Sequence, residues 1–135
     1  MALQYSTTVR NAQLDAFEST IGTSAVLKIR TGSAPATCAD ADSGTVLATI
    51  NLPSDWMAAA SSGSKAKSGT WEDTSADNTG TAGHFRLYAS DGTTVHAQGT
   101  VTATGGGGDL TLDNTSIASG QTVTVSTFTL TAANS

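Results

Sequence analysis

The chain has 135 residues and a formal net charge of −5. That length suits a single domain able to bury about two-thirds of its unfolded surface. Only 13% of the residues are charged, against about 25% in an average globular protein, and β-branched Thr is abundant, which excludes the highly charged composition of a disordered chain.

The basic residues Arg10, Lys28, Arg30, Lys65, Lys67 and Arg86 form no block and are not interleaved with aromatics, so no nucleic-acid partner is expected. Cys38 is the only cysteine, which rules out an intrachain disulfide and a Cys-based metal cluster. No stretch approaches the roughly 18 apolar residues of a membrane span, so no membrane partner is expected. MALQYSTTVR carries no long apolar run. The protein is therefore expected to be made in the cytoplasm, or to leave it without a signal peptide.

Residues 6–22 form the one good helix. Ser6 can cap its start and Gly22 can end it in a left-handed conformation. Leu14, Phe17 and Ile21 make an apolar stripe, with Val9 and Ala16 near it, while Arg10, Asn11, Asp15 and Glu18 lie opposite. This amphipathic helix must rest on something. It either packs on its own sheet or docks on a partner subunit, in which case Arg10, Asp15 and Glu18 are candidate contacts.

Ala25 to Arg30 alternates as a strand. Residues 31–44 are a loop of small residues and turn formers, and strand character returns from Thr45 to Leu52, where Pro53 stops it. A short strand around Lys65 to Glu72 takes Trp71 as its buried anchor. Residues 73–82 read as a polar surface loop.

Gly83 to Thr102 is the clearest hairpin. Phe85, Leu87 and Ala89 alternate with His84, Arg86 and Tyr88, and Asp91-Gly92 is a strong two-residue turn signal. Such a turn pairs His84 with Gly99 and His96 with Leu87. Phe85, Leu87, Val95 and Val101 are the expected core face. His84, Arg86 and Tyr88 are the expected exposed polar face and further contact candidates, so charge reversal at Arg86 is expected to leave folding intact. Gly105–Gly108 form a flexible link or a tip. The last strand, Thr122 to Thr131, changes phase between Val125 and Phe128, which points to a β-bulge near Ser126 or Thr127.

The expected fold is mainly β: an antiparallel β-sandwich or jelly roll of seven to eight strands with one N-terminal amphipathic helix. Residues 1–22 make a helical arm and residues 23–135 one β-sandwich domain.

Few residues point to chemistry. Asp40, Asp42 and Gly44 read D-x-D-x-G, but a calcium loop needs further oxygen ligands where Gly44 and Asn51 stand, so Asx-turn chemistry explains them better. His84 and His96 are not cross-strand partners and lack a third ligand for zinc. No nucleophile elbow, Walker loop or H-E-x-x-H motif is present, and Cys38 has no neighbouring base. Asp55 with Glu72 or Asp73 makes a carboxylate pair only on paper. Trp56, Trp71 and Tyr88 offer either core packing or a sugar-stacking platform. No enzyme activity, metal or cofactor is expected.

Four segments, STTVRNAQLDAFESTIG, LKIRTGSAPATCADADSGTVLATINLPSDWM, GTAGHFRLYASDGTTVHAQGTV and GGGGDLTLDNTSIASGQTVTVSTFTLT, resemble small head proteins of tailed bacteriophages. The resemblance spans nearly the whole chain. Some of these proteins are cement, or decoration, proteins that sit outside the capsid and clamp its subunits. The resemblance implies a non-enzymatic virion component on the capsid surface, made in the bacterial host. It also implies a homodimer, or alternatively a trimer, whose partner is the major capsid protein of the same phage. Residues 1–22, the 31–44 loop and the glycine tip would be its arms. The competing expectation is a tail-associated or carbohydrate-binding adhesion module.

Overall fold

The computed structural model describes residues 2–135. They form one helix and ten short strands: α1 (Thr7–Ile21), β1 (Val26–Thr31), β2 (Val46–Asn51), β3 (Ser64–Ala66), β4 (Glu72–Asp73), β5 (Gly80–Tyr88), β6 (Val95–Ala103), β7 (Leu110–Leu112), β8 (Ser116–Ile117), β9 (Val123–Thr124) and β10 (Thr129–Thr131). The main sheet runs β2-β1-β5-β6-β7, with β8 on the start of β5, and two small pairs, β3-β10 and β4-β9, complete a mainly β, sandwich-like fold. Short segments such as β4 and β8 carry too few residues for a period-two signal, which is why the sequence implies fewer strands.

One pairing departs from an all-antiparallel sandwich. β6 and β7 run parallel, with Val101 opposite Leu110, although parallel neighbours ordinarily need a crossover of a dozen or more residues. Residues 104–109 manage the return because Gly105 and Gly107 take φ of +87° and +81°. A Cβ on Gly106 or Gly108 would come within 2.8 Å of the Thr102 side chain. The glycines thus form a tight crossover packed on Thr102, not a free link.

Cross-strand register assigns the two faces of the main sheet. Leu27, Ile50 and Leu87 share one row, and Ile29, Ala48 and Phe85 the next; all six are buried. This face meets the second layer through a run of aromatics: Phe17, Trp56, Trp71, Phe128 and Phe85, with successive ring centroids 5.5–6.1 Å apart. Offset and edge-to-face rings at that spacing add to the gain from apolar burial. Phe85, Leu87 and Val101 lie in the core as expected, whereas Val95 is only half-buried.

The helix forms where expected. The Ser6 hydroxyl accepts from Val9 N–H at 3.2 Å, and the Gly22 N–H donates to Glu18 O with φ at +93°. Leu14 and Ile21 are buried, but Val9 is 45% exposed. The side holding Arg10, Asn11, Asp15 and Glu18 does not face away; it grips residues 57–65 and 132 of the same chain. α1 therefore packs in cis through both stripes.

The hairpin is longer-looped than Asp91-Gly92 implies. Ala89 N–H donates to Thr94 O, and Asp91 accepts from the Thr93 and Thr94 amides and the Thr94 hydroxyl. These bonds, that from the Thr94 side chain foremost, hold the Asp91 carboxyl well below the usual range. A register shift between Leu87 and Tyr88 leaves His96 as the extra residue, so His84 faces Thr100 and Leu87 faces Ala97. The phase change near Ser126 is a break, not a bulge: β9 pairs with β4, whereas β10 pairs with β3.

Candidate functional site

The outer face of the main sheet carries a row of basic side chains. Register places Lys28 beside Arg86 and Arg30 beside His84. In the sequence, His84, Arg86 and Tyr88 read as an exposed contact surface. The structure corrects this: all three are 0% exposed. β5 is the middle strand of the sheet, and the 31–44 loop folds across its outer face, so both sides of the strand are covered.

Asp42 locks the loop in place. Its Oδ1 accepts from Arg86 Nη1 and the Tyr88 hydroxyl, each at 2.7 Å, and its Oδ2 from Arg30 Nη2 at 2.9 Å. Arg86 also donates to the carbonyls of Asp40 and Thr37 and to Gln98 Oε1, all at 3.0 Å, and Gln98 Nε2 donates to Pro35 O at 2.6 Å. Two guanidinium groups thus share one carboxylate, and loop carbonyls together with Gln98 Oε1 take further N–H groups of Arg86. Bonds to ionised groups are the stronger kind, and a planar fork suits several acceptors at once.

The electrostatics follow from that geometry. Burial pushes the Asp42 carboxyl up, but the bonds from Arg86 and Tyr88 and the charges of Arg30 and Arg86 outweigh it, leaving it below the usual range. Burial pushes the Tyr88 hydroxyl up, and its bond to Asp42 adds to that. His84 Nδ1 lies 2.8 Å from Gly32 O and must carry the proton, because a carbonyl only accepts. Arg30 Nε and His84 Nε2 are buried without a hydrogen-bond partner among the described residues.

Arg10, Asp15 and Glu18 make a second cluster. Lys65, 2% exposed, donates to Asp15 Oδ1 at 2.7 Å, to Ala58 O at 2.9 Å and pairs with Glu18 Oε1 at 3.0 Å. Its three N–H groups are all used. Asp15 and Glu18 also accept from the amides of Ala60 and Met57, while Asn11 accepts from Gly63. Arg10 donates to Ala132 O and lies over Gly63, whose missing Cβ makes room for the guanidinium. The bond from Lys65 leads in holding Asp15 below its usual value; burial pulls Lys65 down, but Asp15 and Glu18 together raise it. A cleft of about 550 Å³ beside this cluster is lined by Asp15, Glu18, Asp55 and Lys65, yet the ammonium already spends its donors on the fold.

The other candidates are accounted for in the same way. Trp56 and Trp71 are core residues whose indole N–H groups donate to Gly22 O and to Trp56 O and Ser68 O. With Tyr88 also buried, these three offer no sugar platform. Asp40 caps Thr37 rather than joining Asp42 around a cation. Asp73 is spent on the Thr49 and Ser75 amides. Cys38 is exposed in the loop. Among the described residues no three His, Cys, Asp or Glu side chains converge as metal ligands, and no helix is long and apolar enough to cross a membrane.

The Asp42 lock is the feature that sequence reasoning missed. The signal was present: Lys28, Arg30 and Arg86 fall in the same strand phase, and the loop between β1 and β2 brings Asp40 and Asp42. Compared with protein-family models, with curated proteins and with solved structures, the chain matches none.

Proposed function

We propose that this protein is a non-enzymatic structural component of a tailed-phage virion, a cement protein that binds the outside of the capsid and ties neighbouring subunits together. Its partners are the major capsid protein of the same phage and other copies of itself. It needs no cofactor, and its acidic, Thr-rich outside disfavours nucleic acid.

The observation that carries this reading is where the chain spends its reactive side chains. Arg30, Asp42, His84, Arg86 and Tyr88 close a loop onto the sheet, and Asp15, Glu18 and Lys65 seat the helix. They serve rigidity. The resemblance to phage head proteins across nearly the whole chain supplies the setting. A cement protein acts by many modest contacts repeated over a lattice, where avidity replaces a deep site. The 31–44 loop is pinned and the glycine turn is packed, so the segment ahead of α1, with Leu3 67% exposed, is the arm best placed to reach a neighbour.

The test is to mix purified protein with cognate capsids that lack it and sediment them. A fixed number of copies should pellet per capsid, and those capsids should resist heat better than bare ones. Protein left wholly in the supernatant at micromolar concentration would end this proposal.

A further inference from the structure

We propose that the cleft between β6 and β10 receives the N-terminal segment of a second copy of this chain, residues 2–5, with Leu3 as its apolar anchor. The proposal rests on the self-association part of the reading above and not on capsid binding. Two features of one molecule complement each other here: an open slot and an uncovered side chain that fits it.

The slot is bounded by two strand edges. β7 covers β6 only at Val101, Thr102 and Ala103. Thr100 N–H points away from β5 and donates to Asp109 Oδ2 at 3.0 Å. Alternation along the strand therefore turns the N–H and C=O of Gln98 to the same outer side, where no strand pairs with them. Across the slot, Lys67 N–H donates to Phe128 O and Ala132 N–H to Gly63 O, so Phe128, Leu130 and Ala132 address β3. The backbone groups of Thr129 and Thr131 then face the opposite way, where no strand of the described residues pairs with β10. The space between holds about 460 Å³, with Phe17, Phe85, Ala97, Phe128 and Leu130 in its lining.

Unpaired edges on both sides call for an extended segment, since only a strand supplies donors and acceptors at the matching spacing. The apolar part of the lining calls for an apolar side chain on that segment, while Gln98, Asp109, Thr129 and Thr131 make the rest of the wall polar. Residues 2–5 meet both demands. They belong to no helix or strand, they lead into an extended Ser6, and they carry no charged side chain to desolvate. Leu3 is 67% exposed and lines no part of its own molecule's cleft. Tyr5 N–H is held by Asn134 O at 2.7 Å, so the segment projects from a fixed base. Knob and slot are made of different residues, residues 2–5 and the edges of β6 and β10, and the base of the knob at Tyr5 lies by Asn134, just beyond β10. The contact is therefore head-to-tail, and it closes a ring or a pair of swapped arms according to the rotation between copies.

Sedimentation equilibrium of the full chain is the test. The wild type should associate reversibly, and Leu3→Asp should weaken association at least ~10-fold while leaving thermal unfolding of the dilute, dissociated chain unchanged, because Leu3 is exposed there. A second measurement keeps the outcome clear. In a Cys38→Ser background, Leu3→Cys protein mixed with Ala97→Cys protein should give a disulfide-linked heterodimer under mild oxidation. Failure of the wild type to associate at ~100 μM, or equal association by Leu3→Asp, overturns the proposal. So does a Leu3–Ala97 crosslink that forms only within a doubly substituted monomer. Capsid sedimentation is a separate readout, so either proposal can fail while the other stands.

Discussion

Arg86 and Asp42 are 44 positions apart in the chain and 2.7 Å apart in the fold. The guanidinium is fully buried on the central strand, whereas the carboxylate side chain is 40% exposed at the loop that covers it. One contact thus turns a charged strand face into an interior and fixes the loop from Pro35 to Ser43.

Reversing the charge at Arg86 follows directly. Arg86→Glu leaves Asp42 facing a second carboxylate and strands the carbonyls of Thr37 and Asp40. Breaking a buried pair by altering one partner costs about 3–5 kcal/mol; the partial exposure of Asp42 places this variant toward the lower figure. Urea unfolding followed by tryptophan fluorescence measures it. This replaces the expectation that such a variant folds normally, and a midpoint equal to wild type would mean that the lock contributes nothing.

The same lock gives stability a pH dependence. Asp42 is held below its ordinary value of 3.8, so its contribution is present above that value and lost as pH falls through the depressed one. Lys65 is held above 10.5, so its contribution is present below that value and lost as pH rises through the raised one. Acid should release the 33–43 loop and alkali should loosen α1. Residue-resolved hydrogen exchange across pH separates the two, and Asp42→Asn should flatten the acid limb for the loop. An acid limb of undiminished size in Asp42→Asn would assign it to other carboxylates.

Lys65→Ala removes the ammonium between Asp15 and Glu18 and opens the seat of the helix. Hydrogen bonds to charged groups are worth about 1.5–3 kcal/mol each in net terms, and the freed carboxylates regain water. A loss of about 2 kcal/mol in the local stability of the helix is expected, read as faster amide exchange over Thr7–Ile21 while β1 and β5 stay protected. Uniform acceleration over the whole chain would show that α1 and the sheet unfold as one unit.

Phe85→Ala empties a site where the ring meets Phe128 edge-on at 5.9 Å. Large-to-small changes of this kind cost about 3–5 kcal/mol. Thermal melting of this variant beside Arg86→Glu compares the two faces of one strand, and both should fall well below wild type. A mild Phe85→Ala would mean that the layers close over the gap.

How far the sequence could be read depends on the range of the interactions involved. The helix and its caps are local, so Ser6 and Gly22 marked them correctly. The alternation of Phe85 and Leu87 marked the core face, because that pattern reports burial on one side of a strand. It cannot report what covers the other side. Arg86 and Tyr88 looked exposed because their cover arrives from residues 33–43, through Asp42 and a set of backbone carbonyls that leave no side-chain signal. The same holds for α1: Asp15 and Glu18 have the composition of a solvated face, and only the buried Lys65, brought in from β3, turns them into a contact face, with Asp15 still half exposed. The parallel turn at Gly105–Gly108 was visible as glycine, while its direction depends on Thr102 and Leu110 meeting in space.

Cryo-electron microscopy of the virion tests the proposed role most directly. A reconstruction at a resolution that shows secondary structure should place one helix and the β2-β1-β5-β6-β7 sheet on the outer capsid surface, at regular sites bridging neighbouring capsid subunits. Density for this fold confined to the tail, or capsids with an unoccupied outer surface while the protein stays free in the lysate, would contradict it.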